Sequence, residues 1–195
     1  MKRFISIVIS LILCTTAVFA QDTYEDDDDV YDDGYVYEQN GIGDRFLKFD
    51  LGANFPMNFG NQLYIGAAAN VGFYYFLSNY FAIGGDVLLS YNLSVGKKPL
   101  VTIPVTFGAI FQPYIGKFEF PITLNAGFAT VTCQQMTYFP ALALKGSAGV
   151  YYRWSETWSF GIEAHGYWIP QWYTNANYND NGIFTSAALS VRYHF

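Results

Sequence analysis

From Arg45 to the last residue, apolar and polar positions alternate with a period of two, and the alternation hardly pauses. Successive side chains of a β-strand point to opposite faces, so the pattern predicts strands with one apolar and one polar face. The first sets Leu47, Phe49, Leu51, Ala53 and Phe55 against Lys48, Asp50, Gly52 and Asn54. The second follows over Ile65–Tyr75, the third over Phe81–Tyr91, the fourth over Val101–Phe111 and the fifth over Phe118–Phe128. The sixth sets Leu142, Leu144, Ala148, Val150 and Tyr152 against Lys145, Ser147, Gly149 and Arg153. The seventh carries Trp158, Phe160, Ile162, Ala164 and Trp168 against Ser159, Gly161, Glu163, His165 and Tyr167, and the eighth starts near Ile183. No helical period interrupts them. Strands of about ten residues are the length that crosses a bilayer's hydrocarbon core when tilted.

The two faces decide between a membrane barrel and a soluble barrel with its apolar face inside. The polar face is rich in Gly, Ala, Ser, Thr and Asn with only scattered charges, whereas a solvent-facing surface carries about 25–35% Lys, Arg, Glu and Asp. Small residues with occasional charges suit a confined interior. The apolar face is Phe, Leu, Ile and Val without charge, which is what lipid accepts. The expected fold is therefore all-β, an eight-stranded antiparallel up-and-down transmembrane β-barrel. Trp154 and Trp158 flank a short turn at one end of the seventh strand, and Trp168 and Trp172 sit at the other, as two interfacial aromatic belts require. Pro104 and Pro121 each delete a ladder donor, which predicts a bulge near each. Loops are expected at Pro56–Gln62, Leu93–Pro99, Val131–Pro140 and Ile169–Asn181.

The last strand is the most specific. Ala187, Leu189, Val191, Tyr193 and the terminal Phe195 share one face, opposite Ala188, Ser190, Arg192 and His194. A closing strand must pair with the first to leave no edge in lipid. A strand ending in Phe, with Tyr two residues earlier and apolar residues alternating before it, resembles the closing strand of bacterial outer-membrane β-barrels. The likeness in pattern covers about Arg45 to Phe195, and the nearest in size are the small barrels of the OmpA, OmpX and OmpW kind. It implies that the barrel-assembly machinery reads Leu189, Val191, Tyr193 and Phe195 as an insertion signal. It also implies an outer-membrane location with both termini and the short turns in the periplasm.

Upstream of the barrel the material changes. Met1–Ala20 reads as a signal peptide: Lys2 and Arg3, an apolar run from Phe4 to about Leu13, and Val18-Phe19-Ala20 before Gln21. Cys14 raises a lipoprotein alternative, against which stands the bulky Leu13 immediately before it. Cleavage after Ala20 leaves one cysteine, Cys133, and so no intramolecular disulfide. Residues 21–44 hold ten of the chain's sixteen acidic groups, among them Asp26, Asp27, Asp28, Asp29, Asp32 and Asp33, and no Lys or Arg. Such a run cannot bury enough apolar surface to offset its ordering entropy, and is expected to be a disordered, solvated tail. Clustered carboxylates also suit hard cations, although no regular ligand loop is visible. The barrel itself comes out at about +2, so the acidic balance belongs to the tail.

Candidate chemistry is confined to the inward face: Lys48, Asp50, Asp86, Glu119, Lys145, Arg153, Glu163, His165, Arg192 and His194. Both signs are present, and an eight-stranded barrel is just wide enough for side chains to fill it, so pairing across strands is expected. A narrow path for small solutes is the functional reading of the same charges. Some enzymes share this scaffold, notably lipid A deacylases, which place a His and a Ser two apart on one strand. Here Glu163 and His165 have that spacing, but position 167 is Tyr, so no enzyme activity is expected. Nor do the spacings suggest a metal site, a cofactor or a nucleic-acid partner. The expected partners are outer-membrane lipid, the assembly machinery and small solutes, with a monomeric chain. Two functions follow: a narrow solute conduit of the OmpW kind, or a non-conducting structural or surface-interaction barrel that anchors the acidic tail.

Overall fold

The computed structural model describes residues 39–59, 62–134, 136–172 and 180–195. The expected leader and the acidic residues up to position 38, with Asp26 to Asp29, Asp32 and Asp33, lie outside the described residues. Ten β-segments make up one antiparallel sheet: β1 (Arg45–Pro56), β2 (Gly66–Phe76), β3 (Phe81–Leu93), β4 (Pro99–Phe111), β5 (Tyr114–Ile115), β6 (Phe118–Glu119), β7 (Ile122–Cys133), β8 (Met136–Arg153), β9 (Trp158–Gln171) and β10 (Asp180–His194). β5 continues β4, and β7 continues β6, so the described residues form eight spans.

The sheet closes on itself. β1 pairs with β10 from Phe46 opposite His194 to Pro56 opposite Phe184, and the backbones of Arg45 and Phe195 exchange hydrogen bonds of 3.0 and 3.1 Å. Phe195 thus completes the β1–β10 ladder, and none of the described spans is left as an edge in the bilayer. Burial alternates strictly along β2 and β3. Phe49, Leu51, Val71, Phe73, Ile83, Val105, Phe107, Leu124, Phe128, Ile162 and Leu189 all face outward and are exposed. An apolar band of that extent is sustained by lipid and not by water. Leu189, Tyr193 and Phe195 lie exposed on this wall, with Val191 half-buried between them. All four Trp residues are exposed at the two ends of β9 and its neighbours.

Several expectations are corrected. The span Val131–Pro140 is not a loop: β7 runs to Cys133 and β8 starts at Met136, because Thr132 pairs with Thr137 and Val131 with Tyr138. Likewise β9 runs to Gln171 and β10 begins at Asp180, which shortens the expected Ile169–Asn181 loop. Neither Pro104 nor Pro121 produces a bulge. The β3–β4 ladder omits the positions opposite Pro104 and Ile103 and resumes in the same register. The span holding Pro121 breaks into β6 and β7, yet both keep one register against β8. A missing donor is absorbed there as a gap. The register shift falls instead between Ala129 and Val131, where two residues of β8, Phe139 and Pro140, stand opposite the single Thr130. An extra residue leaves Pro140 without a ladder position to fill, which is where a residue with no N–H is tolerated. β8 parts from β9 below this point, their shared ladder ending at Leu144 opposite Trp168.

The interior is not uniformly polar. At the end where β1 begins and β10 stops, here the lower end, Phe46, Tyr74, Phe76, Ala82 and Ile110 pack together. At the upper end Leu88, Ala129, Val131, Ala141, Ala143, Tyr167, Ile169 and Phe184 form a second apolar cluster, with Phe59, Leu63, Leu100 and Tyr138 against it. The ionisable groups lie between and beside them.

Candidate functional site: the buried charge network

All ten inward ionisable residues are buried. The strand period places them inside; the register decides which of them meet. Four are formally positive and four negative when the histidines are counted as neutral, so the interior charge cancels.

One group centres on Asp86 of β3. Lys145 Nζ donates to its Oδ2 at 2.7 Å, Thr106 Oγ1 to Oδ1 at 2.6 Å, and the Tyr74 hydroxyl and Asn125 Nδ2 to Oδ2 at 3.1 and 3.2 Å. Lys145 also donates to Asn70 Oδ1 at 3.0 Å, and Asn70 Nδ2 to Asp50 Oδ2 at 2.8 Å. A second group centres on Glu163 of β9. Lys48 Nζ donates to Oε1 at 2.8 Å and Ser147 Oγ at 2.5 Å, while the Tyr151 hydroxyl sits between Oε2 and Ser190. Ser190 in turn donates to Asp50, and Lys48 Nζ lies 3.5 Å from Asp50 Oδ2. The imidazole of His165 lies between these acids, with Nε2 3.5 Å from Asp50 Oδ2 and Nδ1 3.6 Å from Glu163 Oε1.

The third group occupies the lower end. Glu119 is flanked by Arg153 Nε and Arg192 Nη1, each at 3.5 Å. Arg192 donates to Gln112 Oε1 at 2.7 Å, and Gln112 Nε2 to Glu119 Oε2 at 3.0 Å. The Arg192 guanidinium also stacks over Tyr151, 3.5 Å from the ring centroid, with Phe46 at 4.7 Å. His194 Nε2 contacts Ser159 Oγ at 2.8 Å. Arg153 Nη2 donates to the Gln39 carbonyl and to Asn40 Oδ1 at 3.2 Å, and both residues are buried. Gln39 and Asn40, which fall within the stretch 21–44 expected to be a disordered tail, thus fill the lower mouth. Gly43 makes the turn into β1 at φ +102°, a conformation that needs glycine.

Glycines create the room for this packing. A Cβ on Gly84 would come within 2.6 Å of the Tyr74 ring, and one on Gly161 within 2.7 Å of the Tyr151 ring. Both tyrosines are fully buried, so these bare backbone positions let their hydroxyls reach Asp86 and Glu163.

The neutral bridging residues were not singled out in the sequence: Asn54, Asn70, Asn92, Asn125, Gln112, Ser147, Ser190, Tyr74 and Tyr151. Above the charged groups, Asn54 Nδ2 donates to Asn92 Oδ1 at 2.6 Å and the Tyr167 hydroxyl to Asn54 Oδ1 at 2.6 Å. Most of them share strand parity with the charges, and that parity was the available signal. A cavity of about 330 Å³ lies at the upper end, lined by residues that include Phe59, Leu100, Val131, Tyr138, Ile169 and Phe184. The exposed Cys133 is at its rim.

An apolar outer wall, a closed eight-span sheet and a paired interior define a small eight-stranded outer-membrane β-barrel. A protein-family model matches residues 24–193, and the chain belongs to the family that it defines. Two uncharacterized proteins of Treponema pallidum (strain Nichols) are similar in sequence: one is 27% identical over 160 residues, covering 74% of this chain, and the other 26% over 150 residues, covering 65%. The matched regions make up 55% and 65% of those relatives' lengths. In fold, the chain is similar to Neisserial surface protein A (NspA), with a TM-score of 0.65 at 11% identity, covering 78% of this chain and 99% of that one. It is also similar to the outer membrane protein OprG of Pseudomonas aeruginosa, with a TM-score of 0.54 at 11% identity, covering 80% and 98%. The fold of the chain is that of the small outer-membrane β-barrels.

Proposed function

We propose that this barrel is closed to ions and serves a structural or surface-interaction role, with its acidic N-terminal segment on the periplasmic side. The observation that carries this reading is the interior itself. Lys48, Asp50, Asp86, Lys145, Glu163 and Arg192 meet across the lumen from five different strands and pair with one another. Opening a path would separate buried charges from their partners, and uncompensated charge in a low-dielectric interior is costly. The lower mouth is further filled by Gln39 and Asn40.

In this reading the lower end faces the periplasm, both termini lie there, and Leu189, Val191, Tyr193 and Phe195 present the assembly signal on the last strand. Phe195→Ala is expected to lower the inserted fraction in cells while leaving refolding in detergent intact. This reading has the protein act as a monomer without catalytic activity, the contact of Ser159 Oγ with His194 Nε2 at 2.8 Å serving interior packing. Swelling of vesicles that carry the refolded chain, measured with small sugars and amino acids, tests the reading. Swelling no faster than that of empty vesicles is expected, and size-dependent swelling would refute it.

A second reading, a small-solute conduit of the OmpW kind, is favoured by the upper cavity of about 330 Å³ beside the place where β8 leaves β9. Solute uptake that is lost when Val131 and Phe184 are enlarged would establish it.

A further inference from the structure

His165 lies among the acids of the interior with its hydrogen-bonding capacity unmet. Its side chain is 1% exposed, and neither ring nitrogen has a hydrogen-bond partner in the protein. A neutral imidazole always has one N–H to donate and one lone pair to fill. Leaving both unmet in a site without bulk water is costly, and a group in that state calls for an ion or a water.

The surroundings select an ion. Among the described residues, Asp50, Glu163 and His165 are the one set of His, Cys, Asp or Glu side chains whose ligand atoms all lie within 4.8 Å of one another. His165 Nε2 and Asp50 Oδ2 are 3.5 Å apart. Two ligands of one zinc ion, each about 2.0–2.1 Å from it, are separated by about 3.3 Å in a tetrahedral site. The acids are already oriented by other groups, as ligands need to be: Asn70 donates to Asp50 at 2.8 Å, and Ser147 donates to Glu163 at 2.5 Å. The ligand atoms come from β1 and β9, which are held in fixed register through β10.

We infer that Asp50, Glu163 and His165 form a binding site for a divalent transition-metal cation of the zinc type. One imidazole and two carboxylates are a donor set for such ions; calcium and magnesium prefer oxygen alone. The competitor is Lys48, whose ammonium stands 2.8 Å from Glu163 Oε1 and 3.5 Å from Asp50 Oδ2. It holds both carboxylates as a cation would, so a metal must displace it. Removing the ammonium therefore strengthens the site.

The test uses the full chain refolded in detergent, with Co²⁺ as the probe because its visible absorption reports an imidazole-containing, low-coordinate site. The chain has two histidines, so His194→Gln is the matched control for His165→Gln. Each variant is first shown to be folded by its resistance to unfolding in unheated SDS. One Co²⁺ per chain is expected, with absorption kept in His194→Gln and lost in His165→Gln, and with Lys48→Met binding about tenfold tighter, the scale on which contacts to a metal's ligands act. Binding that His165→Gln leaves unchanged would assign the ion to the acidic segment and overturn the inference. So would absence of the absorption from both the unaltered chain and Lys48→Met, which would leave a water as the partner of His165.

Discussion

Replacing Lys145 with Met removes the cation held against Asp86 while nearly conserving side-chain volume. In the folded barrel the two side chains are 2% and 1% exposed, and Lys145 Nζ lies 2.7 Å from Asp86 Oδ2. The carboxylate would keep Thr106, Tyr74 and Asn125 as neutral donors but lose its charge partner. Breaking a buried pair from one side costs about 3–5 kcal/mol, because a charge remains in low dielectric. Replacing both partners with neutral groups costs much less, so the double variant Lys145→Met with Asp86→Asn should recover most of the loss. The assay is urea unfolding of the barrel in lipid vesicles, followed by tryptophan fluorescence. With a slope of about 2 kcal/mol per molar urea, a loss of about 4 kcal/mol moves the midpoint down by about 2 M. A single variant within about 0.5 kcal/mol of the parent, the scale of a surface site, would refute the reasoning. A double variant whose cost is the sum of the two singles would show that the pair does not act as a pair.

Two further outcomes test the wall and the packing. Leu51 faces outward in mid-strand, paired with Ala69 and Leu189 and 69% exposed; Leu51→Arg should cost about 2–4 kcal/mol in the same assay if that face meets lipid. A neutral effect would mean that the face meets water. In Gly161→Ala the new methyl group meets the Tyr151 ring at 2.7 Å and the Val150 carbonyl at 2.3 Å. A cost of about 1–3 kcal/mol is expected from such overpacking, with an altered near-UV tyrosine signal; an unchanged signal would contradict the fit described for Tyr151.

Strand period made the fold legible, and it did so for a physical reason. Each residue's parity decides whether it meets lipid or the interior, so Lys48, Glu163 and Arg192 stood on one side of that division before any pairing was known. Parity does not give height in the barrel. Lys48 and Glu163 are 115 positions apart and meet only through the combined register of β1, β10 and β9. Prolines misled for a related reason. Their missing N–H was legible, but whether it becomes a gap, as at Pro104, or sits at a register shift, as at Pro140, depends on the partner strand. The sequence predicts a loop in place of the β7–β8 hairpin because Gln134, Gln135, Thr137 and Pro140 break the apolar alternation. That end rises into the apolar upper cluster, where inward positions such as Val131 and Ala141 no longer look polar.

In the proposed reading, paired charges close this barrel. Single-channel recording of the full chain in planar lipid bilayers tests it most directly, with insertion confirmed by protease protection of vesicles prepared in parallel. No current steps above the bare membrane are expected from the unaltered chain. Discrete, reproducible steps from folded protein would contradict the claim and make the interior a pore.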